Sequence, residues 1–182
     1  MSKQAFSRLL LALILPCLLA GQLFAADFDP DNPPKGLFME EWMEMHMNGQ
    51  KMGYMHITLR RQGDEIKTET EMVMQIMRGD VPLDFSTKEV TVESVEGEPL
   101  AFNYEIMMGT IPIINEGTIK DGQIHLETNN MGMKQSRTFP YPKDALMTWA
   151  MSRDMMQADF KPGMVLSMDT YMPSISLEKS II

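Results

Sequence analysis

The sequence predicts a mainly β (α+β) protein in which a strongly curved, half-barrel-like antiparallel sheet wraps one helix. Three observations favour this fold. Short stretches of β-forming residues are separated by Gly-containing turns, several stretches alternate apolar and polar residues, and one late segment lacks both Gly and Pro. A helix that is apolar on most sides needs cover, and a twisted sheet curling around it provides that cover economically.

The clearest turn signal is Asn48-Gly49, because both central positions of a type I′ turn need a positive φ. It predicts a hairpin between strands at residues 41–47 and 52–61. Further turns are predicted at Gln62-Gly63-Asp64, Arg78-Gly79-Asp80, Glu96-Gly97-Glu98, Asp121-Gly122 and Met131-Gly132.

Alternation is clearest between Ile66 and Ile76, where every second residue is Ile, Thr or Met. Lys67, Glu69 and Glu71 fall between them. This pattern predicts a strand with one buried face and one solvated face.

One helix is predicted at residues 143–158, a segment that follows Pro140 and Pro142 and is dense in Ala, Leu, Met and Gln. Residues 164–171 and 175–182 are predicted to form two more strands after Lys161-Pro162-Gly163. The last of these ends without a turn or polar tail, which predicts either a truncated chain or a strand that continues. The helical stripe and possible apolar contact surface is Leu146, Trp149, Ala150 and Met156.

The first 25 residues have the order of a secretory signal peptide: the positive charges Lys3 and Arg8, an apolar run at residues 9–20, then small residues. The run is too short to cross a membrane as a helix, which needs about 20 residues. Cleavage near Ala25/Ala26 predicts a periplasmic or secreted protein with no transmembrane segment in the mature chain. It would also remove Cys17, the only cysteine, and with it cysteine nucleophiles, thiolate metal sites and disulfides.

The remaining chain is predicted to comprise a Pro/Asp-rich linker at residues 26–38 and a single β-rich domain at 39–182. The full chain has 16 basic and 25 acidic residues, a net charge of −9. Such an acidic chain lacks the basic surface that sequence-independent nucleic-acid binding requires, so no nucleic-acid partner is predicted.

Several segments carry a family resemblance: Glu41-Trp42, the run MNGQKMGY at 47–54, the hairpin sequence at 117–122, and Pro162-Gly163 leading to Tyr171 and Pro173. Together they resemble the β-rich N-terminal domain of bacterial secreted proteins that have a transglutaminase-like domain. In that family a papain-like domain using Cys, His and Asp follows. The resemblance therefore implies an accessory module without catalytic residues of its own, or an N-terminal fragment of such an enzyme.

The most unusual local feature is a concentration of Met and His in the first hairpin. A two-residue loop would pair Met47 with Gln50, Met45 with Met52 and Met43 with Tyr54. The candidate metal ligands are Met43, Met45, His46, Met47, Met52 and His56, with Met43, Met45, Met47, Met52 and His56 expected on one face.

Thioether and imidazole ligands select Cu(I) when thiolate is absent, so a periplasmic copper(I)-binding protein is one hypothesis. However, all 21 methionines are spread over the whole chain, which favours methionine as a general packing residue and predicts no cofactor. The favoured hypothesis is an exported, non-catalytic binding or accessory domain for an envelope protein partner or an apolar ligand. Its contact region would combine the Met-rich inner sheet face with the predicted helix, because unbranched thioether side chains can repack around varied ligands.

Overall fold

The computed structural model describes residues 28–78 and 81–179. The predicted signal peptide with Cys17 and the predicted cleavage site lie outside the described residues, as do Gly79, Asp80 and the end of the last predicted strand.

Within these described residues, eight strands form one antiparallel sheet in chain order, so β1 and β8 are its two edges and the sheet is not closed. The strands are β1 (Gly36–Met47), β2 (Gln50–Gln62), β3 (Glu65–Arg78), β4 (Val81–Ser94), β5 (Pro99–Met108), β6 (Ile111–Lys120), β7 (Gln123–Asn130) and β8 (Met133–Pro140). A single helix, α1 (Thr148–Gln157), follows within the described part of the chain. The predicted fold class is confirmed.

Three of the predicted turns take the expected left-handed backbone. Asn48-Gly49, Asp121-Gly122 and Met131-Gly132 all have positive φ at both positions, as a type I′ turn requires. The alternation predicted for β3 is also confirmed, since Ile66, Thr68 and Met72 are buried on one face. The turn at Gly109, between β5 and β6, was not predicted from the sequence.

Two apolar clusters lie on the same face of the sheet, and this face is the inner side of its curvature. In one, Leu59, Ile66 and Val95 pack against Trp149 of α1. In the other, Phe102 and Leu126 pack against Tyr171 from the C-terminal part of the chain. Burying both clusters requires the sheet to curve around α1 and the segment that follows it.

The register predicted for the first hairpin is wrong from Met45 onward. Met47 does pair with Gln50, but Met45 pairs with Gly53 and Met43 with Met55, because the ladder shifts at a bulge that contains Met52. Gly53 lies at this shift, directly against β3: a Cβ at this position would collide with the carbonyl oxygen of Val73 and lie 2.8 Å from Cα of Met74.

The helix begins five residues later than predicted. Asp144 has a φ of 59°, and the backbone of Leu146 pairs with the segment around Thr170, so these residues cannot extend a helix. The two strands predicted after the helix are also wrong within the described residues. Residues 164–179 are irregular apart from the bridge at Thr170, because the chain crosses the sheet face and bonds to side chains there.

Residues 28–35, predicted as part of a linker, are held against the domain. Phe28 packs edge-on against Phe38 of β1, and the guanidinium of Arg61 donates to Asn32 and to the carbonyl of Pro33. No helix in the described part of the chain combines the length and hydrophobicity needed to span a membrane.

Candidate functional site

The strongest candidate site is an apolar area on the same sheet face as the core, toward the turn that joins β1 to β2. Direct cross-strand partners bring its members together, with Met43 opposite Met55, Met55 opposite Met72, and Met74 opposite Phe85. We call this area the methionine surface; it comprises Met43, Met45, Met55, Met72, Met74 and Phe85.

The methionine surface is separate from the two apolar core clusters described above. Met45 and Met72 are only 8% and 9% exposed, yet neither is a member of those clusters. Met43, Met55, Met74 and Phe85 are half-buried. The six side chains therefore bury one another only in part. The apolar area that stays accessible is what a bound ligand could bury.

Apolar side chains become more exposed toward the turns at this end of the sheet. The exposed methionines near these turns are Met47, Met77, Met108, Met131 and Met133, with Met131 as much as 66% exposed. A succession of exposed apolar side chains at one end of a domain is typical of an interaction site.

A row of polar side chains separates the middle of the sheet from this apolar end. Glu89, Tyr104, Asn115, Thr128 and Gln135 are successive cross-strand partners from β4 to β8. Thr128 donates to Asn115 at 2.8 Å. Burial raises the pKa of the Glu89 carboxyl above its ordinary value, and burial followed by the charge of Glu89 raises the pKa of Tyr104 to about 12. We call these five residues the polar row.

A cleft of about 640 Å³ lies where the C-terminal segment crosses the polar row. Its sheet side includes Tyr104 and Asn115 of the polar row and Ile106, one alternation step nearer the apolar end. Its other wall is residues 173–179. Arg137 of β8 crosses the cleft and donates to Glu178 at 2.8 Å.

A different buried group, Glu93, joins the sheet to the start of α1. Its two carboxylate oxygens accept the backbone N–H groups of Trp149 and Ala150 at 2.7 and 2.9 Å. Met147, at the helix N-cap, supplies no side-chain cap, so Glu93 takes that role from β4. Burial raises the pKa of Glu93 to about 7, although hydrogen bonds from Ala150, Trp149 and Thr91 oppose the rise.

The residues predicted as copper ligands do not converge. Met43 and Met45 belong to the methionine surface, whereas His56 lies on the opposite face, stacked on Trp42 at a centroid distance of 3.8 Å and bonded to Glu40. The other histidine of this hairpin, His46, bonds to Glu44.

Two candidate ligands remain, and they lie at the hairpin end. Met47 is exposed beside the turn, and Met52 lies in the bulge. Among the described residues, no group of three or more His, Cys, Asp or Glu side chains could hold a metal ion.

The four residues predicted as an apolar contact on the helix segment are distributed differently from the expectation. Trp149 is 0% exposed and Ala150 is buried, so both are part of the protein's own core. Met156 packs on the same cluster, and Leu146 precedes α1 and bonds through its backbone to the C-terminal segment. The predicted contact stripe is therefore not a free apolar surface, whereas the methionine surface of the sheet is partly accessible.

The sequence patterns did not indicate Arg137 or the two acids on the core face, Glu89 and Glu93. Acidic residues in the strands were expected on the solvated face, but both of these lie in phase with Phe85 on the core face. That shared alternation is the one sequence signal that could have revealed them. Nothing in the sequence around Arg137 indicates that a segment some forty residues later lies over it.

No protein-family model, curated protein or solved structure matches this chain. The resemblance to the N-terminal domain of transglutaminase-like proteins therefore stays a prediction.

Proposed function

We propose that this protein is an exported, non-catalytic binding domain that holds an apolar ligand, such as an acyl chain, on the methionine surface. The observation that carries the proposal is the position of Met43, Met55, Met74 and Phe85. They form a partly accessible apolar area on the concave side of the sheet, outside both core clusters.

The chemistry of the side chains supports an adaptable site. Methionine has three rotatable bonds and a polarizable sulfur, so a cluster of thioethers can reshape around ligands of different outline. Each methylene group fully removed from water contributes about 0.8 kcal/mol, so apolar contact would be the main attraction for a carbon chain on this surface.

An envelope protein partner is the second candidate. The exposed methionines beside the turns favour it, because Met131 and Met133 are more than half exposed and lie beyond the methionine surface. The two candidates place the contact on different residues and can therefore be separated by substitution.

The proposal predicts that Met43→Gln/Met74→Gln weakens binding of the neutral fluorescent probe N-phenyl-1-naphthylamine by about tenfold, since two apolar contacts become polar. Met131→Gln/Met133→Gln is the matched control and should change the affinity by less than about twofold. Fluorescence titration measures both, and thermal melts check that each variant is folded. Loss of binding only in the Met131→Gln/Met133→Gln variant would show that the binding site lies at the turns.

That the chain is the N-terminal module of a transglutaminase-like enzyme is a separate proposal. It predicts that the reading frame continues past codon 182 and encodes a Cys followed by His and Asp. Sequencing the DNA beyond that codon decides it, and a stop codon there would exclude it.

A further inference from the structure

Resting on the proposed function, we infer that the ligand is a single-chain amphiphile with a carboxylate headgroup, bound with its headgroup at Arg137 and its chain running past Ile106 toward the apolar end of the sheet. Three observations lead to this inference: the polarity of the concave face, the charge of the cleft, and the carboxylate that Arg137 already holds.

The concave face changes polarity along the strands. The apolar end carries Met55, Met72 and Phe85, while the polar row one or more alternation steps away carries Tyr104 and Asn115. The cleft lies on this boundary, since Ile106 contributes to it from the apolar side. A molecule that fits both parts at once must be apolar at one end and polar at the other.

The charge of the cleft selects the sign of the headgroup. Among the described residues that line it, the cations are Arg137 and Lys179 and the acid is Glu178. The cleft therefore carries an excess of positive charge in a chain whose net charge is −9. An anionic headgroup complements it, and the planar guanidinium of Arg137 suits a carboxylate in particular.

Glu178 shows that a carboxylate fits at this position. Its Oε1 accepts from Nη1 of Arg137 at 2.8 Å, and both side chains are at least half exposed. An exposed ion pair of this kind contributes at most about 1 kcal/mol, so an incoming carboxylate can replace Glu178 at small cost. The segment at residues 173–179 would then act as an internal competitor for the headgroup.

The test compares dodecanoate with dodecan-1-ol as competitors of N-phenyl-1-naphthylamine, using the mature chain. Arg137→Gln should weaken dodecanoate binding by about fivefold and leave dodecan-1-ol within about twofold. Glu178→Gln removes the internal competitor and should tighten dodecanoate binding. Arg60→Gln, an exposed arginine on the opposite face of β2, is the control and should change neither affinity.

Comparing Arg137→Gln with Glu178→Gln shows whether Arg137 recognises the headgroup or only has a structural role. If Arg137 only anchors the C-terminal segment, both variants break the same anchor and dodecanoate affinity falls in both, which overturns the inference. Equal losses for dodecanoate and dodecan-1-ol in Arg137→Gln also overturn it. Failure of the wild-type protein to bind either competitor or the probe would instead contradict the proposed function itself.

Discussion

Glu93→Ala is expected to lower the free energy of unfolding by about 3 kcal/mol, one of the two largest single-residue effects we predict. The substitution leaves the N–H groups of Trp149 and Ala150 without an acceptor in a buried position, and each unpaired buried group costs about 1–3 kcal/mol. Because Trp149 is fully buried between α1 and the sheet, loss of the cap also loosens the cluster around it. Urea denaturation measures the change.

The control for this prediction is Glu127→Ala, which removes an exposed carboxylate from β7 and should have little effect. Equal stabilities for the two variants would show that Glu93 does not cap α1.

The pH dependence of stability is a second way to measure how Glu93 contributes to the stability of the fold. The folded-state pKa of Glu93 is about 7, above its ordinary 4.5, so the folded protein binds this proton more tightly than the unfolded chain. Stability therefore falls as the pH rises from about 4.5 to 7. Glu93 should make the wild-type protein about 2 kcal/mol more stable at pH 5 than at pH 8, and Glu93→Gln should lack this part of the difference. Glu89, whose pKa is also raised, remains in both proteins.

Gly53→Ala should destabilise the protein by about 3 kcal/mol, because its Cβ would collide with the carbonyl oxygen of Val73 in the neighbouring strand. Backbone cannot move aside as a flexible side chain can, so β2 and β3 would have to separate at the bulge. The methionine surface flanks this point, since Met74 is the direct partner of Gly53. Probe binding should therefore weaken together with stability.

Gly122→Ala is the comparison that isolates the collision. Gly122 has a φ of 70°, and no atom lies within 4 Å of the position that a Cβ would take there. Alanine at this position should therefore lower the free energy of unfolding by only about 1 kcal/mol, the strain of placing a side chain on a left-handed backbone. If both variants lose the same free energy of unfolding, the strands must relieve the collision at Gly53 without losing stability.

The parts of the fold that the sequence predicts well are those set by local rules. Asn48-Gly49 and Asp121-Gly122 form their turns because few other residues accept a left-handed backbone, and β3 alternates because one of its faces is buried. Both signals are contained within a few neighbouring residues. They are sufficient to predict a meander of hairpins.

The parts that the sequence does not predict depend on distant partners. The bulge at Met52 lies next to Gly53, where β3 approaches closely, and it changes which residues share a face with Met43. The start of α1 depends on Glu93, more than fifty residues earlier. The cleft exists because residues 173–179 lie over β5 and β8 and do not add strands to the sheet. No local pattern encodes these contacts.

The most direct measurement of ligand binding uses the methionines themselves as probes. In a protein labelled with ¹³C at the methionine methyl groups, dodecan-1-ol should shift the signals of Met43, Met55 and Met74. The signals of Met147 and Met156, which pack in the core clusters, should stay in place. Shifts confined to Met147 and Met156, or no shift at Met43, Met55 and Met74 at saturating ligand, would show that the concave sheet face is packing alone and binds no apolar chain.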